Sequence, residues 1–90
     1  MVNNIELNIL ELLASRTDVN WTWYNLDRAM TKRKMEGVGN VARLVKNLSE
    51  AGLVDIIPGS PAGMDYYQVS EQGFRLLEEL HHKDSQSDLS

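Results

Sequence analysis

The stretch from Val38 to Leu80 leaves this chain little choice of fold. Val41, Leu44, Val45, Leu48 and Ala51 recur at helical spacing and fall within about 120° of arc. Gly52 follows and can take the left-handed conformation that ends a helix. Leu53-Val54-Asp55-Ile56-Ile57 then reads as a strand. Pro58-Gly59-Ser60-Pro61-Ala62-Gly63 is a turn, because proline lacks the donor that ladder pairing needs and glycine permits positive φ. Met64-Asp65-Tyr66-Tyr67-Gln68-Val69 is the returning strand. Ser70 caps a last helix on which Phe74, Leu77 and Leu80 share a face, with Leu76 at its edge. Helix, hairpin and helix in immediate succession predict an α+β domain in which a small sheet packs on helices.

The first half reads less sharply. Asn3 or Asn4 is a good N-cap, and Glu6 stands three residues after Asn3 as in a capping box. Ile5, Ile9, Leu12 and Leu13, with Leu10 close by, predict a first helix over about residues 4–15. Arg16-Thr17-Asp18 is a polar break. From Val19 to Tyr24 bulky residues alternate, which suits a short strand with Val19, Trp21 and Trp23 on one side. Those tryptophans are expected in the core, since uncovered indoles are costly. Tyr24 to Met30 predicts a second, short helix that buries Leu26, Ala29 and Met30, capped by Asn25 or by Thr22. Thr31 to Gly37 is the connection, or partly the end of that helix, and the third helix starts between Val38 and Asn40.

Ninety residues allow one domain, expected over 1–81, with 82–90 as a disordered polar tail. The absence of cysteine excludes a disulfide framework and any thiolate metal site. No apolar run approaches the ~18 residues of a membrane span, and Met1-Val2-Asn3-Asn4 has no basic, apolar leader pattern. A cytoplasmic protein without membrane contact is expected. Nothing points to an enzyme. The serines lack a histidine partner, no glycine-rich phosphate loop exists, and adjacent helical residues such as His81 and His82 point about 100° apart, a poor start for a metal site. No cofactor, metal or small-molecule ligand is inferred.

Charge is informative through its placement. The total is −4, which argues against indiscriminate coating of nucleic acid. Yet Arg28, Lys32, Arg33, Lys34, Arg43 and Lys46 stand against Glu36 alone between residues 28 and 48. A basic middle lies between acidic ends, and the local field matters more than the total. Solubilising lysines on exposed faces, or cations favoured at a helix C-terminus, would produce part of the same pattern.

Helix, short strand, helix, helix, strand, strand, helix is the winged helix-turn-helix order: a three-helix core, a short strand, a two-stranded wing and a C-terminal helix. VARLVKNLSEAGLV, from Val41 to Val54, resembles the recognition helix and first wing strand of MarR-like and PadR-like bacterial transcription regulators. YYQVSEQGFRLLEEL, from Tyr66 to Leu80, resembles their second wing strand and following helix. The resemblance spans roughly residues 5–80 and is weakest across 16–37. It implies a sequence-specific DNA-binding regulator of transcription, with the third helix in the major groove of double-stranded DNA. Carried over by position, Asn40, Arg43, Lys46 and Asn47 are the candidate base readers, and Arg28, Lys32, Arg33 and Lys34 would lie near phosphates.

Two departures stand out. The wing tip, PGSPAG between Asp55 and Asp65, carries no cation, and TKRKMEGVG is longer and more basic than a tight turn between the second and third helices. The linker is expected either to contact DNA in place of the wing or to be mobile. The uncharged wing and the acidic total favour an alternative on the same fold: a protein-protein adaptor without DNA binding, with Trp21, Tyr24, Tyr66, Tyr67 and Leu76 as candidate interface residues. Regulators of the resembled kind usually pair, so a homodimer through the first and last helices is also expected. Leu7, Leu10 and Leu76 are candidates for its apolar patch, unless they merely widen the core.

Overall fold

The computed structural model describes residues 3–59 and 63–89, with side chains through His81. Its elements run α1 (Asn4–Ser15), β1 (Trp21–Thr22), α2 (Trp23–Lys32), α3 (Val41–Glu50), β2 (Val54–Ile57), β3 (Tyr66–Val69) and α4 (Glu71–Leu89). Among the described residues these make four helices and one antiparallel sheet in the order β1-β3-β2. This is the α+β winged arrangement that the second half of the chain predicts.

Side chains close the helix starts. Asn3, not Asn4, caps α1: its Oδ1 accepts the Glu6 N–H at 2.8 Å, and the Glu6 carboxylate accepts the Asn3 N–H at 3.0 Å. Thr22 caps α2, and Asn25 is its reciprocal partner, accepting the Thr22 N–H at 2.6 Å. The Ser70 hydroxyl accepts the Gly73 N–H at 3.1 Å at the start of α4 and donates to the Gly52 carbonyl at 2.6 Å. Gly52 has φ +81°, so α3 turns out of its helix there as expected.

The register places Trp21, Tyr67 and Ile56 side by side across the sheet, with Val54 opposite Val69 on the same face. That face meets a core built from Ile9, Leu10, Leu13, Leu26, Met30, Val45 and Leu48, all essentially free of solvent. Each such side chain contributes about 1.5–3 kcal/mol relative to exposure.

Four expectations are corrected. The strand at 19–24 is only Trp21–Thr22, because the Thr22/Asn25 box starts α2 at Trp23. Trp23 therefore leaves the core face and is 48% exposed. Phe74 shares the α4 stripe with Leu77 but is 40% exposed, whereas Leu77 is buried. Leu10 belongs to the core rather than to a surface patch. The α4 backbone runs to Leu89, and the stretch after His82 has no proline or glycine.

Candidate nucleic-acid interface

The core-facing stripe of α3 determines what its other side offers. Val41, Val45 and Leu48 are buried, so Arg43, Lys46 and Asn47 point away from the core, and all three are exposed. Asn40 is the N-cap of α3 and is exposed too; its side chain makes no capping hydrogen bond. Among the described residues none of these four side chains has a hydrogen-bond or ion-pair partner. The structure thus brings the four candidate readers together along one helix, with donors and amide groups free. Glu50 ends the same face.

The basic connection is anchored at both ends. The Met35 N–H reaches back to the Met30 carbonyl at 2.9 Å and the Lys34 N–H to the Thr31 carbonyl at 3.1 Å, closing α2. Lys34 takes φ +54° at this closure, a left-handed position that glycine usually fills. Gly37, at φ +101°, lies against Leu44, Ile5 and Met30, so closely that a β-carbon there would stand 2.8 Å from Leu44 Cδ1. The linker is therefore pinned to the core while Arg28, Lys32, Arg33 and Lys34 remain exposed.

The wing is different in character. Asp55 and Asp65 are exposed, and Asp65 accepts the Gly59 N–H at 3.4 Å. Ile56 and Met64 are exposed apolar residues beside them. The tip residues 60–62 of the expected PGSPAG turn lie outside the described residues.

Two of the candidate interface anchors are buried. Trp21 is buried, and its indole N–H donates to the Arg16 carbonyl at 3.0 Å. Tyr67 is 7% exposed; burial pushes its hydroxyl above the usual phenol pKa, and the nearby Asp65 charge adds to the shift. Tyr66 and Leu76 are half-buried. Tyr24 is open, and beside it stands Trp23, which periodicity alone assigns to the core. Their rings meet edge to face at 5.8 Å, and the Arg28 guanidinium lies 5.7 Å from the Tyr24 ring centre. The signal for this exposure was Thr22-x-x-Asn25, a capping box that turns the next residue out of the strand.

A second surface feature runs between α1 and α4. A groove of about 940 Å³ has Ala14, Phe74 and Leu77 as its apolar part and Glu11, Glu78 and Glu79 along it. Among the described residues no cluster of three metal-ligating His, Asp or Glu side chains occurs, and no helix is long and apolar enough to cross a membrane.

No known family model matches the chain, and no curated protein matches it. Solved structures do. The chain is similar to a variant of MepR from S. aureus, with a TM-score of 0.81 at 16% identity, over 98% of this chain and 61% of that one. It is also similar to the adhesin competence repressor AdcR from Streptococcus pyogenes, with a TM-score of 0.68 at 20% identity, over 98% and 61%. A third is a candidate transcriptional regulator from Thermoplasma acidophilum, at 0.61 and 22% identity, over 93% and 86%. MepR and AdcR are MarR-family winged-helix proteins. The chain spans about three fifths of their length. The likeness establishes the winged helix-turn-helix fold; AdcR is named a repressor and the Thermoplasma protein a candidate transcriptional regulator.

Proposed function

We propose that this domain is a sequence-specific DNA-binding regulator of transcription that lays α3 in the major groove. The observation that carries this reading is the outward face of α3: Asn40, Arg43, Lys46 and Asn47 are exposed and unpartnered among the described residues, and four further exposed cations lie on α2 and its linker. Arg43 matches the two acceptors of a guanine edge, and Asn40 or Asn47 the donor-acceptor pair of adenine. Arg28, Lys32, Arg33 and Lys34 neutralise phosphates and set the register without reading sequence. Asp55 and Asp65 repel phosphates, so the basic linker replaces the wing as the backbone contact. The repressor AdcR and the candidate regulator from Thermoplasma acidophilum, which share this fold, support the reading.

The same reading includes a homodimer through α1 and α4. Phe74, Ala14 and Leu77 leave an apolar strip between those helices, which a second copy would cover. Two copies would then meet two half-sites about 34–36 Å apart.

Fluorescence anisotropy with random duplex DNA at ~50 and ~200 mM salt tests the first step. Binding that weakens steeply with salt supports phosphate contact, and selection of a preferred sequence follows. Absence of binding even at the lower salt overturns the reading and leaves the adaptor alternative.

A further inference from the structure

The exposed pair Trp23 and Tyr24 is unexplained by the core, by the α3 face or by the linker cations. Both sit in the first turn of α2 and are about half exposed, at 48% and 49%. Leaving two large aromatic rings in water forgoes the burial that such side chains normally contribute. The α2 helix gives them company of one kind. Tyr24, Arg28 and Thr31 lie on the side opposite the buried Leu26 and Met30. The Arg28 guanidinium rests 5.7 Å from the Tyr24 ring centre, and the Trp23 ring meets Tyr24 edge to face.

The polar atoms of this trio are all free. Among the described residues the Trp23 indole N–H and the Tyr24 hydroxyl have no hydrogen-bond partner, and Arg28 has no carboxylate within ion-pair reach. Trp21 provides the contrast within the same chain: its indole N–H is bound to a carbonyl and its ring is buried. The patch therefore offers an N–H donor, an O–H donor and an unpaired cation on a semi-rigid aromatic base. Asp27, one helical turn after Trp23, is the carboxylate nearest in sequence; its Oδ1 is buried and it makes no ion pair with Arg28. The set of donors and cation suits an oxyanion flanked by an apolar surface, which is the chemistry of a phosphodiester with its deoxyribose. It is less suited to a purely apolar protein surface, which would leave two donors and a cation unpaired.

We infer that Trp23, Tyr24 and Arg28 form a phosphodiester clamp that grips the DNA backbone at the start of α2. The Trp23 N–H and Tyr24 O–H donate to non-bridging phosphate oxygens, Arg28 neutralises the charge, and the two rings cover the adjoining sugar. This inference rests on the proposed DNA-binding reading and adds the donors and rings of Trp23 and Tyr24 to the phosphate contact of Arg28. It assigns these aromatics a role in affinity without sequence discrimination.

Trp23 supplies its own probe. Acrylamide should quench Trp23 emission in the free protein while Trp21 stays protected. Saturating duplex should shield Trp23, and Trp23→Phe should remove the quenchable fraction. Tyr24→Phe keeps the ring and deletes the hydroxyl donor, whereas Trp23→Phe deletes the N–H donor and leaves a smaller aromatic ring. Each should weaken binding by about threefold to tenfold on every duplex sequence, with the order of preferred sequences unchanged. Arg28→Ala should in addition lower the salt slope by about one. Because these side chains are at the surface, thermal melting should hardly move and serves as the folding control. If duplex binds but acrylamide still reaches Trp23 and all three variants bind as wild type, the clamp is wrong and the α3 reading stands. If wild-type protein binds no duplex at low salt, both fail together.

Discussion

The carbonyl of Leu53 lies directly over the α-carbon of Gly73, so any side chain at 73 would collide with it. The same carbonyl accepts the Ser70 N–H at 2.9 Å, while the Ser70 hydroxyl ties the Gly52 carbonyl to the Gly73 N–H. Gly52-Leu53-Val54 and Val69-Ser70-x-x-Gly73 are thus two halves of one joint between the end of α3 and the start of α4. A β-carbon at 73 would also approach Val69 Cγ1 to 2.7 Å. Gly73→Ala should destabilise the domain by about 1–3 kcal/mol through forced displacement of backbone. Urea denaturation measures this; an unchanged midpoint would show that the joint can open without loss.

Lys34 is the only described non-glycine residue with positive φ. A left-handed lysine costs roughly 1–2 kcal/mol relative to a relaxed backbone, part of which glycine gives back through its freer unfolded chain. Lys34→Gly should therefore raise stability by up to about 1 kcal/mol. Under the proposed function it should also weaken binding to all duplex sequences alike. A variant that gains stability without losing affinity would remove Lys34 from the phosphate contacts.

Much of this architecture was legible in the sequence, and the parts that were not share a cause. The α3 stripe, its Gly52 stop and the Ser70 cap follow from local rules that the tertiary structure leaves intact. Trp23 and Phe74 do not. Alternation put Trp23 in the core, but two reciprocal hydrogen bonds between Thr22 and Asn25 started a helix and turned it outward. Phe74 satisfies the helical stripe yet stands at the open groove beside α1, because a stripe says which way a side chain points and not how far its neighbour extends. Lys34 was hidden for a different reason. Its residue type argues against the conformation it holds, and only the closing bonds of α2 reveal it. The exposed α3 residues were found from the sequence, since an amphipathic helix with one buried face exposes the other.

Tyr67 on the middle strand gives the fold a pH dependence at the alkaline end. Burial first, and the Asp65 charge second, raise its hydroxyl pKa above the usual phenol value near 10. The folded state then holds the proton more tightly than the unfolded chain does. Its contribution is complete below about pH 10 and is lost as pH rises through the folded value. The stability difference between wild type and Tyr67→Phe should be flat to about pH 9 and fall above about pH 10. A difference that stays constant to about pH 11 would mean that the hydroxyl remains solvated in the folded protein.

Phe74 is the natural point at which to test self-association. It is 40% exposed and lies with Ala14 and Leu77 along the groove between α1 and α4. Phe74→Ser should lower dimer affinity by roughly tenfold or more, as expected for a central aromatic contact, while changing monomer stability little. Sedimentation equilibrium reads both forms. Glu11, Glu78 and Glu79 border the same groove, so the wild-type dimer should tighten as salt screens them. A wild-type chain that sediments as a monomer at high micromolar concentration would exclude this interface.

Arg43 and Lys32 separate reading from holding. Arg43 is at the centre of the outward face of α3, whereas Lys32 ends α2 beside the linker, and both are exposed. A guanidinium on a guanine edge loses two directed hydrogen bonds when truncated, so Arg43→Ala should weaken binding to the preferred site by about 1–3 kcal/mol and relax the choice of base there. An ammonium near a phosphate contributes charge without direction. Lys32→Ala should lower affinity about equally on all sequences and reduce the salt slope by about one. The two outcomes have to differ for the division of labour to hold. If Arg43→Ala leaves both affinity and sequence preference intact, α3 does not read bases through this residue. If Lys32→Ala changes the preferred sequence instead, the linker rather than α3 lies in the groove.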